Sequence, residues 1–242
     1  MILRYQLPRM IVRNQSQTLD ADIYSDAGVQ QTPSAGASLT LYEGSGVVLD
    51  AVDITEAAPS TYPLLAATTS GKTLSTRWLE LWVMTIDSAV YSFRREAYLV
   101  RQQLFPTITD TDLTTKHDRL NNYLGSLSNW QTYRDEAWVT VQRRIINAGR
   151  RPQLVLDSSA LRELHIAETL AAVFRSKSDA GVEGRFAGLA EEWSRIAAAE
   201  WSTLTLQYDD SQDGTADEVR KQAASPVVML TARKSLRGTY GS

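Results

Sequence analysis

One acidic segment of the chain has the residue types and the spacing of a cation site. From Asp209 the run DDSQDGTADE places oxygen-bearing side chains at the ligand positions of a calcium loop, with Gly214 at the sixth position for the sharp turn. The candidate metal ligands are Asp209, Ser211, Asp213, Thr215 and Asp217. Position 12 is Arg220, where a bidentate glutamate is expected. The sequence therefore leaves two interpretations open: a calcium site, or an acidic turn without an ion.

The other residues that could take part in catalysis or metal binding have few suitable partners close to them in the sequence. The chain has two histidines, and the spacing of His165 and Glu168 predicts an ordinary ion pair on a helix surface. The string Ser70–Thr73 reads SGKT, but Ala66 stands where a P-loop needs glycine, so a polar turn is expected. There is no cysteine, which excludes disulfides, thiolate metal sites and a cysteine nucleophile. We therefore expect no catalytic residues, no cofactor other than the calcium candidate, and no enzyme activity.

Composition is that of an ordinary globular protein. The chain has 242 residues, with 43% hydrophobic and 22% charged positions and a formal net charge of −3. This length predicts one or two domains, and we expect two. The longest apolar runs, such as residues 170–174 and 227–230, fall far short of the ~18 residues that a membrane span needs. The first ten residues lack the pattern of a secretory signal, so we expect neither membrane insertion nor export by that route.

Charge is divided sharply near the end of the chain. After residue 206, every acidic residue lies between Asp209 and Glu218, and every basic residue lies from Arg220 onward. The preceding part is nearly neutral and shows no dense basic cluster with interleaved aromatic residues, which disfavours tight DNA binding.

Residues 1–103 have the pattern of a β-rich domain with frequent turns, typical of a small sandwich or Greek-key barrel. Trp78, Trp82, Met84 and Ile86 alternate with other apolar residues, which predicts a central strand with both faces covered. Asp87 and Ser88 then predict a hairpin turn. The expected strands are 10–13, 20–24, 38–42, 47–55, 62–68, 77–86 and 89–101.

Residues 104–208 change to a helical period, which predicts a three-helix bundle. The helices are expected over residues 127–148, 157–177 and 182–206, with Asp157 capping the second and Gly149 ending the first. The second helix carries two apolar stripes. Its second stripe, Ile166, Leu170 and Val173, is interpreted as a contact with another subunit. Residues 209–242 are expected to form the acidic loop and an extended C-terminal arm.

Several stretches resemble the head-to-tail adaptor (head completion or connector) proteins of tailed bacteriophages. They are LFPTITDTDLTTKHDRL from Leu104, DEAWVTVQRRIINAGRRPQLVLDSSALRELHIAETLAAVFR from Asp135, FAGLAEEW from Phe186 and LQYDDSQDGTADE from Leu206. The resemblance covers residues 104–230. The β-rich first hundred residues resemble the immunoglobulin-like extension that some of these adaptors carry. The fold class implied is α+β and multidomain, with an immunoglobulin-like β-sandwich, a helical domain and an arm.

The resemblance implies a structural protein of the virion neck, assembled in the host cytoplasm. Such adaptors form a homo-oligomeric ring, commonly dodecameric, that docks beneath the portal protein, continues the DNA channel and meets a stopper or tail-terminator protein below. Contact with the passing genome would be transient and non-specific. A ring needs a head-to-tail contact between subunits, which a helix with two apolar stripes suits.

The C-terminal arm is the expected docking element for the portal. Residues 225–242 reach up to ~60 Å if extended, and an apolar run within them could add as a strand to a neighbouring sheet edge. Three basic residues follow that run and could meet an acidic portal surface or phosphates. The arm residues are Val227, Val228, Met229, Leu230, Arg233, Lys234 and Arg237.

The main alternative is a carbohydrate- or surface-binding module built on the tryptophan-rich β-sandwich. Solvent exposure of Trp78 and Trp82 would favour it, whereas burial would remove its motivation. A hydrolase is a more distant alternative, because it needs carboxylate pairs such as Asp110 and Asp112, or Asp209 and Asp213, to converge in a cleft.

Overall fold

The computed structural model describes residues 1–5, 7–74, 76–123, 127–179 and 184–221, and its fold is mixed α+β. Strands make up more than half of the first hundred residues, and helices dominate after residue 109. The β-rich part contains β1 (Ile2–Arg4), β2 (Arg9–Val12), β3 (Gln17–Tyr24), β4 (Ala35–Glu43), β5 (Gly46–Asp53), β6 (Ser60–Leu64), the short helix α1 (Ala66–Thr69), β7 (Arg77–Ile86) and β8 (Ala89–Val100).

Two sheets share one apolar core in this part. The larger sheet has the strand order β2-β8-β7-β4-β5, with β2 parallel to β8 and the other pairs antiparallel. The smaller sheet has the order β1-β3-β6. Leu19 and Ile23 from the smaller sheet are buried in the same cluster as Leu39, Trp78 and Trp82 from the larger one. The predicted strands are present, although the one expected over residues 62–68 ends at Leu64 and is followed by α1.

The pattern of β7 matches its predicted central position. It lies third of the five strands, and alternate residues from Trp78 to Ile86 are buried. Asp87 and Ser88 both have left-handed backbone angles, with φ of 50° and 65°, as a two-residue turn between twisted strands requires. The predicted β7–β8 hairpin is therefore confirmed.

The second part is built on a central helix with a neighbour on each side. It contains α2 (Asp110–Lys116), α3 (Gln131–Asn147), α4 (Arg162–Asp179), α5 (Arg185–Thr203), β9 (Thr205–Tyr208) and β10 (Glu218–Lys221). Helix α4 packs against both α3 and α5. Asp157 accepts a hydrogen bond from the Ser159 amide and so caps the 3-10 turn that leads into α4.

This arrangement corrects the predicted subunit contact. Ile166, Leu170 and Val173 are buried within the protomer, in a cluster that includes Trp130 and Phe186. The second apolar stripe of α4 exists because the helix has two neighbours in the same chain, so these residues are covered and do not face another subunit.

The end of the third predicted helix is also corrected. Helix α5 ends at Thr203, and residues 205–208 form β9, in which Leu206 and Tyr208 alternate with exposed residues. Strand β9 pairs antiparallel with β10, and Tyr208 bridges to Val155 on its other side. A period-two stretch of only four residues directly after a long helix is too short to separate from that helix by pattern.

Candidate interaction surfaces

The acidic loop between β9 and β10 is held together by its own amides. The Asp209 carboxylate accepts hydrogen bonds from the amides of Asp213 and Gly214, each at 2.9 Å, and lies 3.4 Å from Nε of Arg101. Asp217 accepts from the Ser211 amide at 2.6 Å. Asp213 accepts from the Thr215 amide and hydroxyl, and these bonds lower the pKa of its carboxyl.

These contacts do not gather the predicted calcium ligands around one point. Within the described ranges, no group of three or more acidic or histidine side chains has the geometry to hold a metal ion. Asp209 is paired with Arg101, and Asp217 accepts from a backbone amide. These hydrogen bonds are those of an acidic turn with internal caps, which favours the second interpretation of the sequence.

The loop also fastens the helical part to the larger sheet. Asp209 is 4% exposed, and its partner Arg101 directly follows β8. The Gln102 side-chain amide donates to the carbonyl of Leu156 at 3.1 Å, one residue before the cap of α4. The positive φ of 101° favours glycine at position 214, and a Cβ there would lie 2.8 Å from Nη1 of Arg101, so the end of that arginine would have to shift.

The arm residues predicted to dock on the portal, 227–230, 233, 234 and 237, lie outside the described part of the chain. The structure does place the base of the arm. Residues 222–242 follow β10, and β10 is fixed to the body through β9, whose Leu206 and Tyr208 are buried among the helices.

The two tryptophans that motivated the carbohydrate-binding alternative are fully buried. Trp78 and Trp82 are both 0% exposed and lie in the core between the two sheets. The indole nitrogen of Trp82 donates to Glu80 at 2.9 Å. Neither ring is open to a ligand. The solvent exposure that would have favoured a carbohydrate-binding module is therefore not found at these two residues.

A cluster of charged side chains inside the β-rich part was not predicted from the sequence. Glu80 is fully buried, accepts from Nε of Arg9 at 2.6 Å and also accepts from Trp82. Arg9 in turn pairs with Asp20 at 2.8 Å. Burial, with Arg9 nearby, lowers the pKa of the Arg95 guanidinium, which donates to the carbonyl of Leu7. The signal was present, because position 80 falls on the buried face between Trp78 and Trp82.

His165 is a core residue, which corrects the predicted surface ion pair. Its ring is buried against Trp138, and Nε2 lies 2.8 Å from the carbonyl of Arg134, so Nε2 carries the proton. Burial lowers its pKa to about 4. Glu168 pairs instead with Arg144, and burial raises the pKa of its carboxyl.

A small apolar notch lies where the larger sheet meets the end of α3. It has a volume of about 90 Å³. Leu7, Pro8, Met10 and Tyr98 line it from the sheet side, and Ile146, Arg150, Arg151, Pro152 and Gln153 line it from the helical side. Ile146 is 38% exposed, Arg151 is exposed, and Arg150 lies 5.7 Å from the ring centre of Tyr208.

The arginines beside this notch come from one short stretch, RRIINAGRR at residues 143–151. Helix α3 ends at Asn147 and Gly149 has a φ of 74°, so the chain turns there and brings the second arginine pair beside the notch. The sequence pattern could have identified this cluster, because four arginines occur within nine residues without an acid. The near-neutral total of the surrounding sequence hides this local cluster.

Comparison with known proteins found no relative: no family model matches the chain, and no curated protein matches it. In the described residues, no helix is long and apolar enough to cross a membrane.

Proposed function

We propose that this protein is a structural head-to-tail adaptor of a tailed bacteriophage. In this role it forms a ring of identical subunits beneath the portal protein, continues the DNA channel and links the capsid to a stopper or tail-terminator protein. It belongs to the virion neck and is assembled in the host cytoplasm. The finer description of the β-rich part as an immunoglobulin-like domain, and of the helical part as an adaptor bundle, is part of the same proposal.

The observation that carries this proposal is the attachment of the C-terminal segment. Residues 222–242 follow a strand that is anchored on one side only, since in the described part of the chain β10 pairs with β9 alone. Extended, a segment of this length reaches about 70 Å. Its apolar run and its basic residues are the chemistry of a segment that binds a partner by strand addition and charge.

The base of that segment is rigid, which supports a docking role. Tyr208 and Leu206 are buried, Tyr208 bridges to Val155, and the loop between the strands is fixed through Asp209 and Arg101. A partner held by the segment would therefore be held at a defined position relative to the helical body.

The charge balance is consistent with a conduit for DNA. The net charge of −3 over 242 residues does not favour tight binding along a duplex. A channel through which DNA slides requires weak contact, because each neutralised phosphate adds to affinity.

The experiment is a binding assay between the full chain and the purified portal protein of the phage that encodes it. Native mass spectrometry gives the number of copies bound to each portal ring. We expect a closed set of subunits, twelve on a twelvefold portal. A chain that stays monomeric alone and with the portal would contradict the proposal.

A further inference from the structure

We propose that neighbouring subunits contact each other through the two opposite edges of the larger sheet. The strand β5 edge of one subunit docks on the notch beside β2 of the next, with Val47 facing the notch and Asp50 facing Arg151. This contact rests on the ring of the proposed function and identifies which surfaces close it.

The two edges carry opposite charge. Residues 46–56, which contain β5, include three acids, Asp50, Asp53 and Glu56, and no base. Residues 146–153, which supply the helical side of the notch, include Arg150 and Arg151 and no acid. Asp50 and Asp53 on one surface and Arg151 on the other are exposed. Opposite charges on two surfaces guide association and exclude wrong registers.

The two surfaces also match in shape and polarity. Val47 is 54% exposed on β5, although it is aliphatic. The notch of about 90 Å³ is lined mostly by apolar side chains, and Ile146 at its rim is itself exposed. A cavity of ~150 Å³ holds a benzene molecule, so this smaller notch suits one aliphatic side chain. Docking Val47 there would cover apolar surface on both partners.

The contact has to form between molecules. Strands β2 and β5 are the first and last of five in the sheet, which separates them by about 19 Å at the usual strand spacing. No subunit can therefore place its own β5 edge in its own notch. Two different surfaces that bind each other make a head-to-tail contact, and such a contact gives a ring when the rotation between subunits closes.

Side chains, rather than strand pairing, make this contact. The outward amide and carbonyl of Val12 on β2 are already bonded to the Gln17 side chain, at 3.3 Å and 3.1 Å. Strand β5 pairs irregularly with β4, and Ala51 has a φ of 43°. Both features prevent continuous pairing along an exposed edge.

Apolar residues favour a protein partner over DNA at this site. A surface for the phosphate backbone needs basic and polar donors and has no use for an apolar notch. Val47 and Ile146 are both exposed and aliphatic, and they lie on the two opposite surfaces of the proposed contact.

The test uses charge reversal in the full chain. Arg151→Glu and Asp50→Arg are compared with the double variant that carries both changes, and Arg195→Glu on the exposed face of α5 is the matched control. Native mass spectrometry, with and without the portal, measures the fraction of closed rings. Each single variant is expected to weaken the contact about tenfold, because like charges then face each other. The double variant is expected to restore rings, and the control to assemble as the unmodified chain does.

Other outcomes overturn the inference in distinguishable ways. Rings that form equally well with Arg151→Glu and Asp50→Arg would exclude this contact and leave the adaptor proposal standing. An unmodified chain that forms no ring with or without the portal would contradict the adaptor proposal and this contact together. If Arg151→Glu leaves rings intact but lowers retention of a DNA duplex, the arginines face nucleic acid and the inference is wrong.

Discussion

The carboxylate of Glu80 is fully buried and depends on Arg9 and Trp82 for compensation. We predict that Glu80→Ala lowers the free energy of unfolding by about 3–5 kcal/mol, because it leaves the Arg9 guanidinium buried without its closest carboxylate. Urea unfolding measures this difference. Glu96→Ala is the matched control, since Glu96 pairs with Arg77 on the exposed face of the same sheet.

An exposed pair contributes little, so the control is expected to lose no more than about 1 kcal/mol. Equal losses in the two variants would contradict the view that Glu80, Arg9 and Trp82 form a buried, mutually dependent cluster.

This cluster shows what a sequence pattern does not contain. The alternation of Trp78, Trp82 and Met84 predicts the buried face of β7 correctly and places Glu80 on it, but it does not indicate the partner Arg9, which comes from a different strand.

The imidazole of His165 makes stability depend on pH. Burial holds its pKa at about 4, against an ordinary value of ~6.5, so the unfolded chain binds a proton that the folded chain excludes between these values. The stability that neutral His165 contributes is therefore complete above pH 6.5 and is lost as the pH falls to 4. The loss amounts to about 3 kcal/mol.

His165→Gln is predicted to flatten this slope, because glutamine keeps a donor for the Arg134 carbonyl but does not titrate. Thermal or urea unfolding at several pH values between 4 and 7 gives the slope for both chains. An unchanged slope in the variant would show that His165 does not titrate between these values on unfolding.

The sequence predicts helix α4 correctly but predicts the wrong neighbour for one of its faces. The spacing indicates two apolar stripes, and the second stripe was expected to contact another subunit, whereas it is buried within the same chain. We predict that Leu170→Ala destabilises the protomer itself by about 2–5 kcal/mol, since Leu170 is fully buried between helices of the same chain. Val90→Ala, at a site 69% exposed, is the control.

The control is expected to change stability by no more than about 0.5 kcal/mol. If Leu170→Ala left the monomer's unfolding unchanged and weakened only assembly, the original assignment to a subunit contact would be right. Sequence periodicity gives the number of apolar stripes on a helix, but the partner of each stripe depends on topology, which periodicity does not contain.

The loop after β9 is predicted to be stabilised by its internal hydrogen bonds and not by calcium. Asp209→Ala removes the acceptor for two amides and the partner of Arg101, at an expected cost of about 1–3 kcal/mol. Asp213→Ala, which removes an exposed acceptor, is expected to cost less. Calcium at millimolar concentration should leave the melting temperature of the unmodified chain unchanged, and a clear rise would contradict this account.

At the scale of the whole molecule, the α+β composition and the change of period near residue 104 were predictable from sequence. The contacts that join the β-rich part to the helical part were not predictable from sequence. Arg101 pairs with Asp209, more than a hundred residues away, and Gln102 bonds to Leu156, 54 residues away. Nothing in the local sequence pattern indicates these contacts between the sheet and the helical part. The notch beside Arg151 is likewise formed by segments far apart in the chain.

The central claim concerns the whole molecule, because it assigns the β-rich and helical parts to a ring and residues 225–242 to portal docking. Deleting these residues is predicted to leave unfolding unchanged, since they lie beyond β10, and to abolish attachment to the portal.

The most direct measurement is native mass spectrometry of the portal protein mixed with the full chain or with the chain lacking residues 225–242. The account predicts a stoichiometric ring on the portal with the full chain, and a free portal with the folded but shortened chain. Attachment that persists without residues 225–242 would contradict the docking role of the arm, and a full chain that never joins the portal would contradict the adaptor function.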